Sequence, residues 1–208
     1  MFRFERFRFD KSAQYDPTAF QYQTVSYPGY LTGASLSWCR KSDRDADLAA
    51  ALNRIVFKDR TGTLGNVTCD LGRVFKVIPR DFGNRTPYQQ LLFRPIGDAD
   101  TLKDVPPASL RKSIACFDKL EEQLADARPE AADGELVKAE LRNAITMARH
   151  GCERGLAALE PRKWNRAAMR PTLQHIIGAH QDLWLARNRR GGLPESTDYL
   201  RRRLPDYD

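Results

Sequence analysis

Three long apolar runs in the C-terminal half constrain this chain more than any other feature. Leu110, Ile114, Phe117, Leu120 and Leu124 recur mostly at steps of three and four. So do Val137, Leu141, Ile145, Ala148, Cys152, Leu156 and Leu159. A third run holds Leu173, Ile176, Ile177, His180, Leu183 and Trp184. Such spacing gathers the apolar side chains on one face of an α-helix. The runs predict helices over about 107–127, 133–159 and 163–189. Pro129 and Gly134 punctuate the first junction and Pro161 the second. Pro171 should either kink the third helix or mark its true start. Gly191-Gly192 should end it, as glycine commonly does at a helix C-terminus. Long helices on short connections favour antiparallel neighbours in a bundle.

The N-terminal half reads as shorter helices. Ser42 with Asp45 resembles a capping box and opens a helix over about 43–58, with Leu48, Leu52, Ile55 and Val56 on one face. Gly62 breaks it. A second stripe of Leu64, Val67, Leu71, Val74, Phe75 and Ile78 predicts a helix over 63–78 that Pro79 stops. Thr86-Pro87 starts a short helix ending near Phe93. Residues 94–108, with Pro95, Gly97, Pro106 and Pro107, read as a connector. Further upstream, Pro28 opens a helical stretch running to Trp38, in which Gly29 and Gly33 let another backbone approach closely. Phe2, Phe4, Phe7 and Phe9 alternate with charged residues, the period of an amphipathic strand. The expected fold is therefore mainly α, a helical bundle with a short N-terminal strand-like segment. Its expected parts are a strand-like or irregular segment (1–24), a helical region (25–93), the connector (94–108) and the C-terminal bundle (109–208).

Composition narrows the functional classes. The chain has 208 residues, 41% hydrophobic and 29% charged, ordinary for a folded globular protein. No apolar run approaches the roughly 18–20 residues that span a bilayer. The N-terminal alternation also lacks the apolar core of a secretory signal, so the expected compartment is the cytoplasm and no membrane partner is expected. Cys39, Cys69, Cys116 and Cys152 form no CxxC pair and are expected to be small buried hydrophobes. The net charge is +7, with Arg187, Arg189, Arg190, Arg201, Arg202 and Arg203 as the densest cluster. Arginine suits helix ends as a complement to the helix dipole, so nucleic-acid binding is the alternative function rather than the first.

No catalytic pattern stands out. His150, His175 and His180 are the only histidines. The last two are five apart, poor spacing for a metal pair on one helix, and all three are expected at helix surfaces or boundaries. HExxH, GxSxG, GxGxxG and phosphate-loop patterns are missing. The carboxylates Asp43, Asp45, Asp47, Glu121, Glu122, Glu135 and Glu140 are expected in solvated helical turns. No cofactor and no metal are expected.

Three stretches, taken in order, resemble a known family. They are residues 25–39, with Tyr27-Pro28-Gly29-Tyr30 and Ser35-Leu36-Ser37-Trp38; residues 43–57; and residues 183–196, with Trp184-Leu185-Ala186-Arg187-Asn188-Arg189-Arg190-Gly191-Gly192-Leu193 as the most specific piece. Together they resemble the C-terminal part of bacterial β-N-acetylhexosaminidase-like proteins of glycoside hydrolase family 20. The likeness spans about residues 24–204. It implies that residues 25–38 correspond to the closing helix of a (β/α)8 barrel and that the rest is a helical region appended to it. The family's catalytic Asp-Glu pair lies on an earlier barrel strand and has no counterpart here. Tyr15 to Thr24 likewise do not match the aromatic strand end of the family's sugar pocket. The resemblance therefore implies a non-catalytic helical module of a truncated or split carbohydrate-active protein. Its implied partners are a cognate catalytic barrel chain or a second copy of itself. Trp38 and Trp184 could touch a sugar, although core anchoring is the commoner use of tryptophan. Arg187, Arg189, Gly191 and Gly192 are expected to form a structural lock, with Asp43, Asp45 or Asp47 as partners for Arg187. The N-terminal forty residues are expected to be poorly ordered or engaged with another surface.

Overall fold

A computed structural model describes residues 22–38, 46–83 and 85–208. The alternating Phe2–Phe9 segment, Cys39 and the Ser42–Asp45 box lie outside them. Among the described residues the protein is mainly α, and the sole β pairing is one isolated bridge between Asp59 and Pro129. The helices are α1 (Gln23–Trp38), α2 (Leu48–Ala51), α3 (Thr63–Leu71), α4 (Pro87–Phe93), α5 (Ala99–Leu102), α6 (Pro107–Asp126), α7 (Gly134–Leu159), α8 (Arg170–Arg187) and α9 (Leu193–Arg201).

Their ends follow local chemistry. Thr86 accepts a hydrogen bond from the Gln89 amide and Asp98 accepts one from Thr101, each capping a first turn. Pro87, Pro107, Pro171 and Pro194 occupy the first positions of α4, α6, α8 and α9, where a missing N–H costs nothing. Pro171 thus marks the start of α8 and does not kink it. Pro28, by contrast, lies inside α1, which begins five residues earlier than the proline suggests. Asp47 caps α2 by accepting the Ala50 amide at 3.0 Å.

The longest helix, α7, stands at the centre and packs on α1, α3, α4, α6 and α8. It divides two cores. The larger takes Leu52, Phe57, Leu64, Leu110, Phe117, Leu124, Leu141, Ile145 and Leu156 from the turn after α2 and from α3, α6 and α7. The smaller takes Met147, Leu173, Ile176, Leu183, Leu200 and Tyr207 from α7, α8, α9 and the C-terminal turn. Gly151 and Gly155 let α4 and α6 sit close against α7. A Cβ at Gly151 would stand 2.8 Å from the Tyr88 carbonyl, and one at Gly155 2.9 Å from Leu110. Residues 94–108 carry α5, and the larger core draws on residues from both sides of them.

Two apolar stripes are interrupted. After Ala51 the chain enters a π-helical turn, Leu52–Phe57, with i→i+5 pairing. The wider turn keeps Leu52 and Phe57, five apart, in the core and turns Ile55 outward, 58% exposed. Similarly, α3 ends at Leu71 rather than continuing to 78. Gly72 caps it and the chain re-enters as a tighter 3-10 turn, Val74–Val77. The change of pitch buries Val74, whose carbonyl accepts the Tyr88 hydroxyl at 2.8 Å, and leaves Phe75 42% exposed.

Candidate interaction surface

The start of α1 is fastened to the bundle by buried polar groups. Asn143 of α7 donates to the Tyr22 hydroxyl at 2.5 Å. The same hydroxyl shares a hydrogen bond with His180 Nδ1, 3.2 Å away. The other ring nitrogen, Nε2, is hydrogen-bonded to the Ser196 hydroxyl of α9 at 2.8 Å. Burial depresses the His180 pKa to about 4, so the ring is neutral at physiological pH. Thr24 donates to Glu140, and Tyr27 and Leu31 continue onto the larger core, Tyr27 against the Phe57 ring.

Glu140 is the hub. It is 1% exposed and bonds Thr24 of α1 and Arg187 of α8. Arg187 also reaches Asp133, at the head of α7, at 2.9 Å. Arg187 thus pairs with Glu140 and Asp133; of the partners expected for it, Asp47 caps α2, and Asp43 and Asp45 lie outside the described residues. Glu140 is buried, not solvated, and so are His150 and His180; His175 alone is exposed. His150 bonds the Tyr207 hydroxyl at 2.6 Å, and Arg154 bonds the same hydroxyl and Asp206. Those contacts dock the C-terminal turn.

The two tryptophans differ. Trp184 is half-buried at the end of α8. Its ring meets the His180 ring edge-on at 5.9 Å, and its N–H donates to the Arg189 carbonyl at 2.9 Å. Gly192 lies under the Trp184 ring with φ +81° and opens α9. Asn188, not the glycine pair, ends α8. Among the described residues nothing lies within 4 Å of where a Cβ at Gly191 would stand, and Arg189 has no ion-pair partner. Trp38 is 93% exposed, not a core anchor.

The outer end of α1 is the unusual surface. None of the sixteen residues of α1 is charged, in a chain that is 29% charged. Tyr30, Leu36 and Trp38 are exposed. Among the described residues, no atom lies within 4 Å of where a Cβ at Gly29 or Gly33 would stand. Glycine in a helix costs roughly 1 kcal/mol against alanine, and no packing among the described residues requires it here. The sequence pointed to glycines that admit another backbone; that backbone is not among the described residues. Of the cysteines, Cys69 and Cys152 are buried and Cys116 is partly so, all as free thiols.

Elsewhere, no group of three His, Cys, Asp or Glu side chains among the described residues stands ready to hold a metal ion. No described helix is long and apolar enough to cross a membrane. No family model, curated protein or solved structure matches the chain.

Proposed function

We propose that this chain is a non-catalytic helical module that works by docking, with the outer end of α1 as its contact element. The surface it fits is the catalytic barrel of a β-N-acetylhexosaminidase-like protein. One observation carries the docking reading: an uncharged helix presents Tyr30, Leu36 and Trp38 to solvent beside two glycines that no packing among the described residues requires. Leaving large apolar side chains in water forgoes roughly 1.5–3 kcal/mol each, and exposed clusters of this kind mark interaction sites. The identity of the partner rests on the family resemblance of residues 25–39, 43–57 and 183–196.

The non-catalytic character has separate support. Two buried titratable groups of α7 and α8 are engaged in structural bonds: Glu140 with Arg187 and Thr24, and His180 with Tyr22 and Ser196.

Co-expression with a family 20 barrel domain, followed by light scattering and hydrogen exchange, tests the reading. A stable complex that protects the amides of residues 30–38 is the expected result. A chain that stays monomeric beside the barrel, with those amides unprotected, overturns it. Turnover of an aryl N-acetylglucosaminide by the chain alone would overturn the non-catalytic assignment.

A second reading, nucleic-acid binding, is favoured by Arg189 and Arg190, which are exposed and lack carboxylate partners among the described residues. Phosphate contacts there would make affinity for duplex DNA or RNA fall steeply with salt.

A further inference from the structure

A second surface shares no residue with the α1 face. An open groove of about 640 Å³ is lined by Asp47, Ala50, Asn53, Arg54, Lys58, Asp59, Arg60, Gly62, Asn66 and Glu130, within the size range of small-molecule sites. Two features of its backbone are uncommon. One wall is the π-helical turn Leu52–Phe57, a geometry frequent at functional sites. Lys58, which ends that turn, takes the left-handed conformation with φ +51°, costly for a residue with a side chain.

Accounting for the charges shows what the groove lacks. Its three acids are all engaged. Asp47 caps α2. Glu130 pairs with Arg60 at 3.0 Å. Asp59 accepts from the amides of Thr61, Thr63, Leu64 and Arg128 and from the Thr61 hydroxyl. Burial opposes its ionised form, but these bonds outweigh burial and hold the carboxyl below its usual range. Both ends of the Asn53 amide are used, on the Gly62 carbonyl and the Gly65 amide. Of the three cations, Arg60 is paired. Arg54 and Lys58 remain, with no ion-pair partner among the described residues. Both line the groove, four residues apart in the chain.

We propose that this groove binds a small ligand through an oxyanion group, phosphate or carboxylate, held by Arg54 and Lys58. Arginine offers a planar fork and lysine a point charge, a pairing suited to an oxyanion. The saturated Asp59 beneath keeps the floor rigid without taking up either cation.

The test is an amide NMR titration of the full chain with inorganic phosphate, against sodium chloride at matched ionic strength. The expected result is saturable shifts at Arg54, Lys58 and Asn66. Affinity should fall at least tenfold in Arg54→Gln/Lys58→Asn, where asparagine tolerates the left-handed backbone. Sodium acetate in a parallel arm identifies the oxyanion as carboxylate if it competes and phosphate if it does not. Unchanged resonances elsewhere check the fold of the double variant, and Arg54→Gln alone repeats the measurement if that check fails. Shifts that chloride reproduces, that never saturate, or that persist unchanged in the variant overturn the proposal.

Discussion

Arg187, in the last turn of α8, closes on Glu140, which lies within α7 with 1% of its surface exposed. The two are 47 residues apart in the chain. Thr24 of α1 bonds the same carboxylate, so one buried acid joins three helices.

Removing the arginine leaves that acid without its counter-charge. Breaking a buried pair from one side typically costs about 3–5 kcal/mol, whereas replacing both partners with apolar groups is often nearly neutral. Arg187→Ala should therefore lower stability in urea by about that amount. Arg187→Leu/Glu140→Leu should recover much of the loss. A single-variant cost below about 1 kcal/mol would show that the pair does not hold α8 in place.

The π-helical turn makes a second prediction. Leu52→Ala should cost roughly 2–5 kcal/mol, as for other large-to-small changes in a core. Ile55→Ala, three residues on, should stay within about 0.5 kcal/mol, since its side chain faces water. Were the segment an ordinary α-helix, both would fall on the apolar face and both would be costly. The same contrast is expected between Leu64 and Phe75.

These cases show what the sequence made legible. The stripes of α6 and α7 keep steps of three and four through five and seven residues, and helices form there within about a residue of the predicted bounds. Regular spacing fails where the pitch changes. Nothing in Leu52 to Phe57 announces an i→i+5 turn, so Ile55 was placed inside. The Glu140–Arg187 pair is half legible: an arginine at a helix end invites a carboxylate partner, but which one is set by how α7 and α8 pack and has no local signal. Acidic residues in helices are usually solvated, and that expectation hid Glu140. The role of Gly192 could have been read, because Leu193-Pro194 directly after it is a helix start. The groove around Asp59 went unseen, for its residues come from three separate segments and match no motif.

Stability should depend on acid through His180. Its pKa falls from 6.5 in the unfolded chain to about 4 in the fold because burial disfavours the charged ring. The unfolded state therefore binds more protons between these values, and stability falls as pH drops from about 6.5 toward 4. Two to three pKa units correspond to roughly 3 kcal/mol, an upper bound for this one group. His150 is shifted in the same direction by its own burial, partly offset by Glu153. Denaturation across pH 7 to 4 should show the decline, and His180→Gln should flatten part of it. An unchanged slope in that variant would assign the dependence to other groups.

The last prediction concerns Gly29 and Gly33. Both lie inside α1 with backbone angles that any residue can adopt, and among the described residues both have open space where a Cβ would stand. For the chain alone, alanine is then the better residue. Each replacement removes a helix-propensity cost of roughly 1 kcal/mol and introduces no clash. Gly29→Ala/Gly33→Ala should therefore raise the thermal midpoint of the free protein. If α1 docks on another surface, the added methyl groups stand where that surface must approach, and the same variant should bind it more weakly. A gain in stability with a loss of association separates a docking role from a folding role, since a folding defect would lower both. Should the double variant be more stable and associate as tightly as before, the glycines do not face the partner, and the contact must run through Leu36 and Trp38 alone.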